Sequence, residues 1–213
     1  MTTPNHPSFS GPTFAHVGIR SVAALTLTLA VVLAGCSKQD AAQSGAPTPA
    51  AATSIAPAQA YDEVARQGKG FNAGAMMSAQ TAYVLFDPQC PHCGALWNAS
   101  LPLQKKMKFV WVPVSLMNSK STPQGAALLS AANPVEAMTA HESALLGGGS
   151  GMSASSAMTP ENEAAIKSNT LLFNSLGATS VPYVVAKNAR TGEVVTHSGA
   201  MPTPALAALL GVD

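Results

Sequence analysis

Cys90-Pro91-His92-Cys93 spaces two thiols so that one can attack a disulfide and the other can resolve the mixed disulfide that results. Residues 82–86 (AYVLF) just upstream are β-formers closed by Asp87-Pro88, and Pro91 suits the first position of a helix, where its missing N–H costs nothing. Cys90 therefore stands at a helix start, where backbone N–H groups and the helix dipole favour a thiolate and lower the thiol pKa. Cys93 lies one turn further in, on an apolar face with Leu96, Trp97 and Leu101, and is expected to be buried. His92 adds a polar or cationic group beside the thiolate, which favours the reduced pair and makes it an oxidant. Cys90 is the expected nucleophile and Cys93 the resolving thiol. The two cycle through a Cys90–Cys93 disulfide and need no cofactor.

Other chemistries compete for these residues. Zinc needs about four ligands, whereas downstream of the leader the histidines are His92, His141 and His197, with no second C-x-x-C. His141 and His197 read as surface or capping residues. A permanent disulfide across so short a loop gains little chain entropy. Cu(I) carriage by Cys90 and Cys93 is the alternative function, since soft thiolate and thioether ligands select that ion. The eight methionines after Met1 show no M-x-x-M clustering, so they read as gap-fillers of the core, as Trp97 and Trp111 read as core itself.

The elements that must position the pair follow from periodicity. Strand 82–86 leads into the helix at Pro91, and 108–114 (KFVWVPV) forms the next strand, with Pro113 marking its end or an edge. Residues 124–131 and 135–146 have helical patterns, and 147–156 is a glycine- and serine-rich loop. Thr159 caps a helix with Pro160 first and Glu161 and Glu163 in its opening turn; Ile166, Phe173 and Leu176 mark its inner face and Gly177 its stop. A hairpin of 183–186 with 193–197 and a last helix at 204–210 complete a thioredoxin-like α/β pattern with an inserted helical subdomain over 81–213. Residues 61–80 read as a linker with at most one short helix.

The third cysteine belongs to the N-terminus. Residues 22–33 form an uncharged apolar run, shorter than the ~20 residues of a membrane-spanning helix and matching the core of a secretory signal. Leu33-Ala34-Gly35-Cys36 resembles the lipobox of bacterial lipoproteins, so 1–35 is expected to be cleaved and Cys36 lipidated. Ser37 fits outer-membrane sorting, on the periplasmic side. Residues 36–60, rich in Ala, Pro, Ser, Thr and Gln, are expected to be a disordered tether. Loss of Arg20 with the leader leaves basic and acidic residues equal, so no basic stripe exists to hold nucleic acid.

The run Phe86-Asp87-Pro88-Gln89-Cys90-Pro91-His92-Cys93, then Trp97, the inserted helices, and Leu176-Gly177-Ala178-Thr179-Ser180-Val181-Pro182 resembles the catalytic domain of the periplasmic DsbC/DsbG thiol–disulfide interchange proteins. The resemblance implies an exposed nucleophile at Cys90 and a cis proline facing it at Pro182, with Val181 beside it to pair with an extended client. It implies exported client proteins and a membrane redox partner, reducing or oxidising, with oxidase, isomerase and reductase roles all open. Two departures are visible. The family's dimerisation domain has no counterpart in 36–80, so a monomer is expected, and His92 with Val181 is closer to the oxidase DsbA.

Overall fold

The computed structural model describes residues 54–153 and 158–212, so the leader, Cys36 and most of the expected tether lie outside the described residues. Strands β1 (Phe71–Gly74), β2 (Thr81–Phe86), β3 (Lys108–Pro113), β4 (Tyr183–Lys187) and β5 (Val194–Ser198) form one sheet in the order β1-β3-β2-β4-β5. β2 and β3 pair in parallel, joined through helix α2 (Pro91–Ser100), while the other pairings are antiparallel. Pro113 ends β3, which is an interior strand, so the missing N–H falls where the ladder stops.

The central strands are buried on both faces, which is why AYVLF reads as a continuous apolar run. On one face Val84, Phe86, Phe109, Trp111, Val184 and Ala186 pack against Leu96 and Trp97 of α2, Met138 of α4 (Pro134–Leu146) and Leu206 and Leu210 of α6 (Thr203–Leu210). On the other, Leu85, Val112 and Val185 meet Ala60 and Val64 of α1 (Ala60–Gln67) and Leu172 and Phe173 of α5 (Pro160–Ser175). Alternation of side chains along each strand sorts these residues into the two clusters. Trp97 and Trp111 are fully buried, with ring centroids 5.1 Å apart in an edge-to-face contact. Helix α3 (Ser121–Ser130) packs against α4 and α5. Thr159 caps α5 through its hydroxyl, which accepts from the Asn162 N–H.

The folded domain begins earlier than the sequence suggests. Ile55 donates its N–H to the Ser175 carbonyl at 2.7 Å, a turn of 3-10 helix follows at Pro57–Gln59, and α1 starts at Ala60. The expected linker 61–80 contains β1, which pairs with β3, so it belongs to the domain. Asn169 of α5 fixes this lead-in: its amide accepts from the Lys69 N–H at 2.9 Å and donates to the carbonyls of Lys69 and Pro113 at 2.7 and 2.9 Å.

Two further expectations are corrected. Leu101 lies just past α2 and is 38% exposed, off the inner face. Among the internal methionines, only Met107 and Met138 are buried, whereas Met76, Met77, Met117 and Met158 are exposed, so gap-filling describes a minority of them.

Candidate active site

Cys90 occupies the N-cap position of α2 in extended conformation, and its carbonyl accepts from the Cys93 N–H at 2.9 Å. Both cysteines are free thiols here. A hydrogen bond from the Cys93 thiol, followed by contributions from the backbone N–H groups of Cys93 and His92 and the His92 charge, outweighs burial and holds the Cys90 thiol down at about 6. Burial, with the hydrogen bond to Cys90 next, pushes Cys93 well above the ordinary thiol range. The two thiols are thus split into a ready thiolate and a protonated partner. His92 is exposed and contributes to that split after the Cys93 thiol.

Cys90 is not the exposed sulfur that the resemblance implies. Its residue surface is only 4% accessible, and its sulfur lies 3.7 Å from the Val181 carbonyl. It belongs to the core cluster on the α2 face, against which Val181 and Met152 also pack. The Val181–Pro182 peptide bond is cis, Pro182 is buried, and β4 starts at the next residue. Cys90, Cys93, His92, Val181 and Pro182 therefore meet at one end of the sheet.

Three more residues complete the site, all outside the motif. Asp87 is fully buried, and its carboxylate accepts from the N–H groups of Gln89, Leu116 and Met117 and from the Ser121 hydroxyl, at 2.6–2.9 Å. It thereby ties the loop before Cys90 to the loop after β3. His141 of α4 is buried rather than superficial: its Nε2–H donates to the Pro88 carbonyl at 2.6 Å, and Nδ1 accepts from the Met152 N–H at 3.0 Å. That tautomer is neutral, in keeping with the lowering of its pKa by burial. Gly151, at φ +74°, lies against the imidazole, where a side chain would collide with the ring. Glu142, the next residue, is fully buried with both carboxyl oxygens lacking a hydrogen-bond partner among the described residues. Desolvation, then the charges of Cys90 and Asp87, pushes its carboxyl up to about 8.

One signal for these residues was present in the sequence: Met138, His141 and Glu142 have the i, i+3, i+4 spacing of a buried helix face. His197 lies half-buried on β5, outside this cluster. A cleft of about 420 Å³ lined by Lys120, Pro123, Gln124, Gly151 and Met152 opens beside the site. Among the described residues, no group of three or more His, Cys, Asp or Glu is placed to hold a metal, and no helix is long and apolar enough to cross a membrane.

No family model matches the chain. Over 134 residues it is 28% identical to the thiol:disulfide interchange protein DsbG of Pseudomonas aeruginosa, an alignment that covers 62% of this chain and 51% of that protein. The chain therefore spans about half the length of this curated relative. Its fold is similar to that of Proteus mirabilis ScsC in a compact conformation, with a TM-score of 0.59 at 17% identity over 76% of this chain and 80% of the other. The thiol–disulfide exchange protein α-DsbA2 of Wolbachia pipientis gives 0.53 at 16% identity, over 74% and 98%. The fold is thioredoxin-like.

Proposed function

We propose that this chain is a thiol–disulfide oxidoreductase that exchanges disulfides with exported proteins through Cys90 and Cys93. The observation that carries this reading is the asymmetry of the pair. One thiol sits at a helix N-terminus with its pKa depressed to about 6, and the other is buried and protonated one turn away. Cys90 thiolate attacks a client disulfide, or in the reverse direction a client thiolate attacks the Cys90–Cys93 disulfide, and a mixed disulfide at Cys90 links the two half-reactions. A client strand laid beside Val181 and Pro182 would bring its sulfur to Cys90. With 4% of its surface accessible and its sulfur against the Val181 carbonyl, Cys90 is reached only when part of its surroundings gives way to the incoming chain.

Cys93→Ala is expected to accumulate mixed disulfides with client proteins and Cys90→Ala to accumulate none. Equal trapping by both variants would remove the assigned roles. The similarity to a thiol:disulfide interchange protein and the signal-like apolar run at 22–33 support placement outside the cytoplasm. Lipidation at Cys36 and an outer-membrane location, resting on the lipobox-like segment, and an oxidising pair, resting on His92, belong to the same proposal. Cys36→Ala is expected to give an unprocessed or soluble form where the unmutated protein sediments with membranes.

A further inference from the structure

Between Glu63 and Glu136 the only acidic residue is Asp87, which is fully buried beside the C-x-x-C motif. The same stretch carries Arg66, Lys69, Lys105, Lys106, Lys108 and Lys120. Equal totals of acid and base downstream of the leader therefore hide an uneven distribution. The fold gathers three of these lysines at one corner. Lys108 opens β3 and pairs with Gly74 at the end of β1, Lys105 closes the 3-10 turn Leu103–Lys105, and Lys106 follows it. The turn between β1 and β2 rests on the same backbone: the Ala75 N–H donates to the Met107 carbonyl at 3.1 Å and the Ser78 hydroxyl to the Lys106 carbonyl at 3.3 Å. From that turn Met76 and Met77 stand 54% and 98% exposed.

Nothing described neutralises this corner. Lys105 and Lys106 are exposed and Lys108 is half-buried, and the ion pairs among the described residues, Arg66–Glu63 and Lys187–Asp62, leave all three uncommitted. At the same end of the sheet the β4–β5 hairpin adds Lys187, paired with Asp62, and Arg190 and Glu193 in its turn, a set with no net charge. β2 and β3 run parallel, so the corner lies where both begin, and the C-x-x-C motif follows where β2 ends. The lysines and Cys90 are therefore at opposite ends of the sheet.

We propose that the Met76-Met77 turn with Lys105, Lys106 and Lys108 is a docking tip for an anionic lipid surface, holding the domain with Cys90 turned away from the membrane. This goes beyond the exchange reaction and takes from the reading above only that a membrane is near. Met77 at the end of a turn is a projection and not a pocket, so it suits a soft boundary that closes around it. The thioethers enter between headgroups and acyl chains, and the lysines lay their stems along that apolar edge with their ammonium groups at the phosphates. Position along the chain adds to this. Residues 37–53 separate Cys36 from the first described residue and span at most ~60 Å when fully extended. A lipid on Cys36 thus keeps the tip at high effective concentration beside the same surface, and modest intrinsic affinity is enough to dock it.

The test uses the chain from residue 37 onwards, which keeps every described residue and lacks the lipidated cysteine, so that the tip acts alone. It is floated with phosphatidylcholine vesicles, and with vesicles in which about a third of the lipid is phosphatidylglycerol, at about 0.01 M ionic strength, where screening is weak. The chain should float with the anionic vesicles only, and added salt should release it. The triple variant Lys105→Gln, Lys106→Gln, Lys108→Gln should partition at least about tenfold less, each lysine near such a surface being worth about fivefold. A parent that stays behind, even one retained on immobilised polyglutamate, overturns the proposal in favour of an acidic protein partner. A triple variant that floats like the parent overturns it too. The anchor fails separately: Cys36→Ala sedimenting with membranes as the unmutated protein does would remove lipidation and leave this measurement standing.

A second measurement keeps all three lysines. Met77→Trp places an indole on the tip, and Met117→Trp places one after β3 at the active-site end, where Met117 is 54% exposed. Trp97 and Trp111 are fully buried, so the added indole reports the contact. Brominated phosphatidylglycerol vesicles should quench the Met77→Trp variant and leave the Met117→Trp variant unchanged. Any other pattern overturns the orientation and the proposal with it.

Discussion

The largest single cause of the acidity of Cys90 is another side chain, ahead of each backbone N–H at the helix start. The hydrogen bond from the Cys93 thiol is the largest contribution holding it near 6, ahead of the backbone N–H groups and His92. Cys93→Ala should therefore raise the Cys90 pKa by a unit or more towards its ordinary value of 9.0, whereas His92→Ala should move it less. Thiolate absorbance at 240 nm against pH reads both variants directly. A larger shift for His92→Ala would reverse the order of causes. The residues of the C-x-x-C motif were legible in the sequence because their chemistry is local, fixed by four consecutive positions and a helix boundary. Asp87, His141 and Glu142 were not, since each acquires its role from a contact across the fold: Asp87 with Leu116 and Ser121, His141 with Pro88, Glu142 with Gly94. Even the exposure of Cys90 was misjudged for this reason. Val181 lies far along the chain, and its proximity to the sulfur is a property of the folded sheet end.

At the scale of elements, strand 82–86, helices α2 and α5 and the β4–β5 hairpin were readable because burial imposes a strict period on them. β1 was not. Phe71-Asn72-Ala73-Gly74 has a single strong β-former and neighbouring glycines at 68 and 70, so nothing local favours a strand. Tertiary pairing with Phe109 and Trp111 of β3 makes it one, and Asn169 supplies the anchor. Asn169→Ala removes three hydrogen bonds, leaving the Pro113 carbonyl unpaired in a buried position and the part-buried backbone groups of Lys69 without their partner. A loss of about 3 kcal/mol or more is expected in urea unfolding. Native-state hydrogen exchange should quicken first in β1. An unchanged midpoint would mean that β1 holds to β3 without α5.

Over the whole domain, the redox pair and Glu142 impose opposite pH dependences on stability. The Cys90 pKa is depressed from 9.0 to about 6 in the folded dithiol protein, so its contribution is present in full above pH 9 and is lost as pH falls through 6. The Glu142 pKa is raised from 4.5 to about 8, so its contribution is complete below pH 4.5 and is lost as pH rises through 8. Each carries a slope of about 1.4 kcal/mol per pH unit inside its own window. From pH 4.5 to 6 Glu142 acts alone and stability falls; from 6 to 8 the slopes cancel; from 8 to 9 Cys90 acts alone and stability rises. Other groups titrate over the same range, so the informative quantity is the difference between the parent and Glu142→Gln, both reduced and unfolded in urea at half-unit steps of pH. Relative to the parent, the variant should gain stability steadily from pH 5 to 8 and no further beyond. In the oxidised proteins the Cys90 charge is absent, so the same gain should level off at a lower pH. Parallel profiles for parent and variant in the reduced state would mean that Glu142 is already ionised when the chain folds.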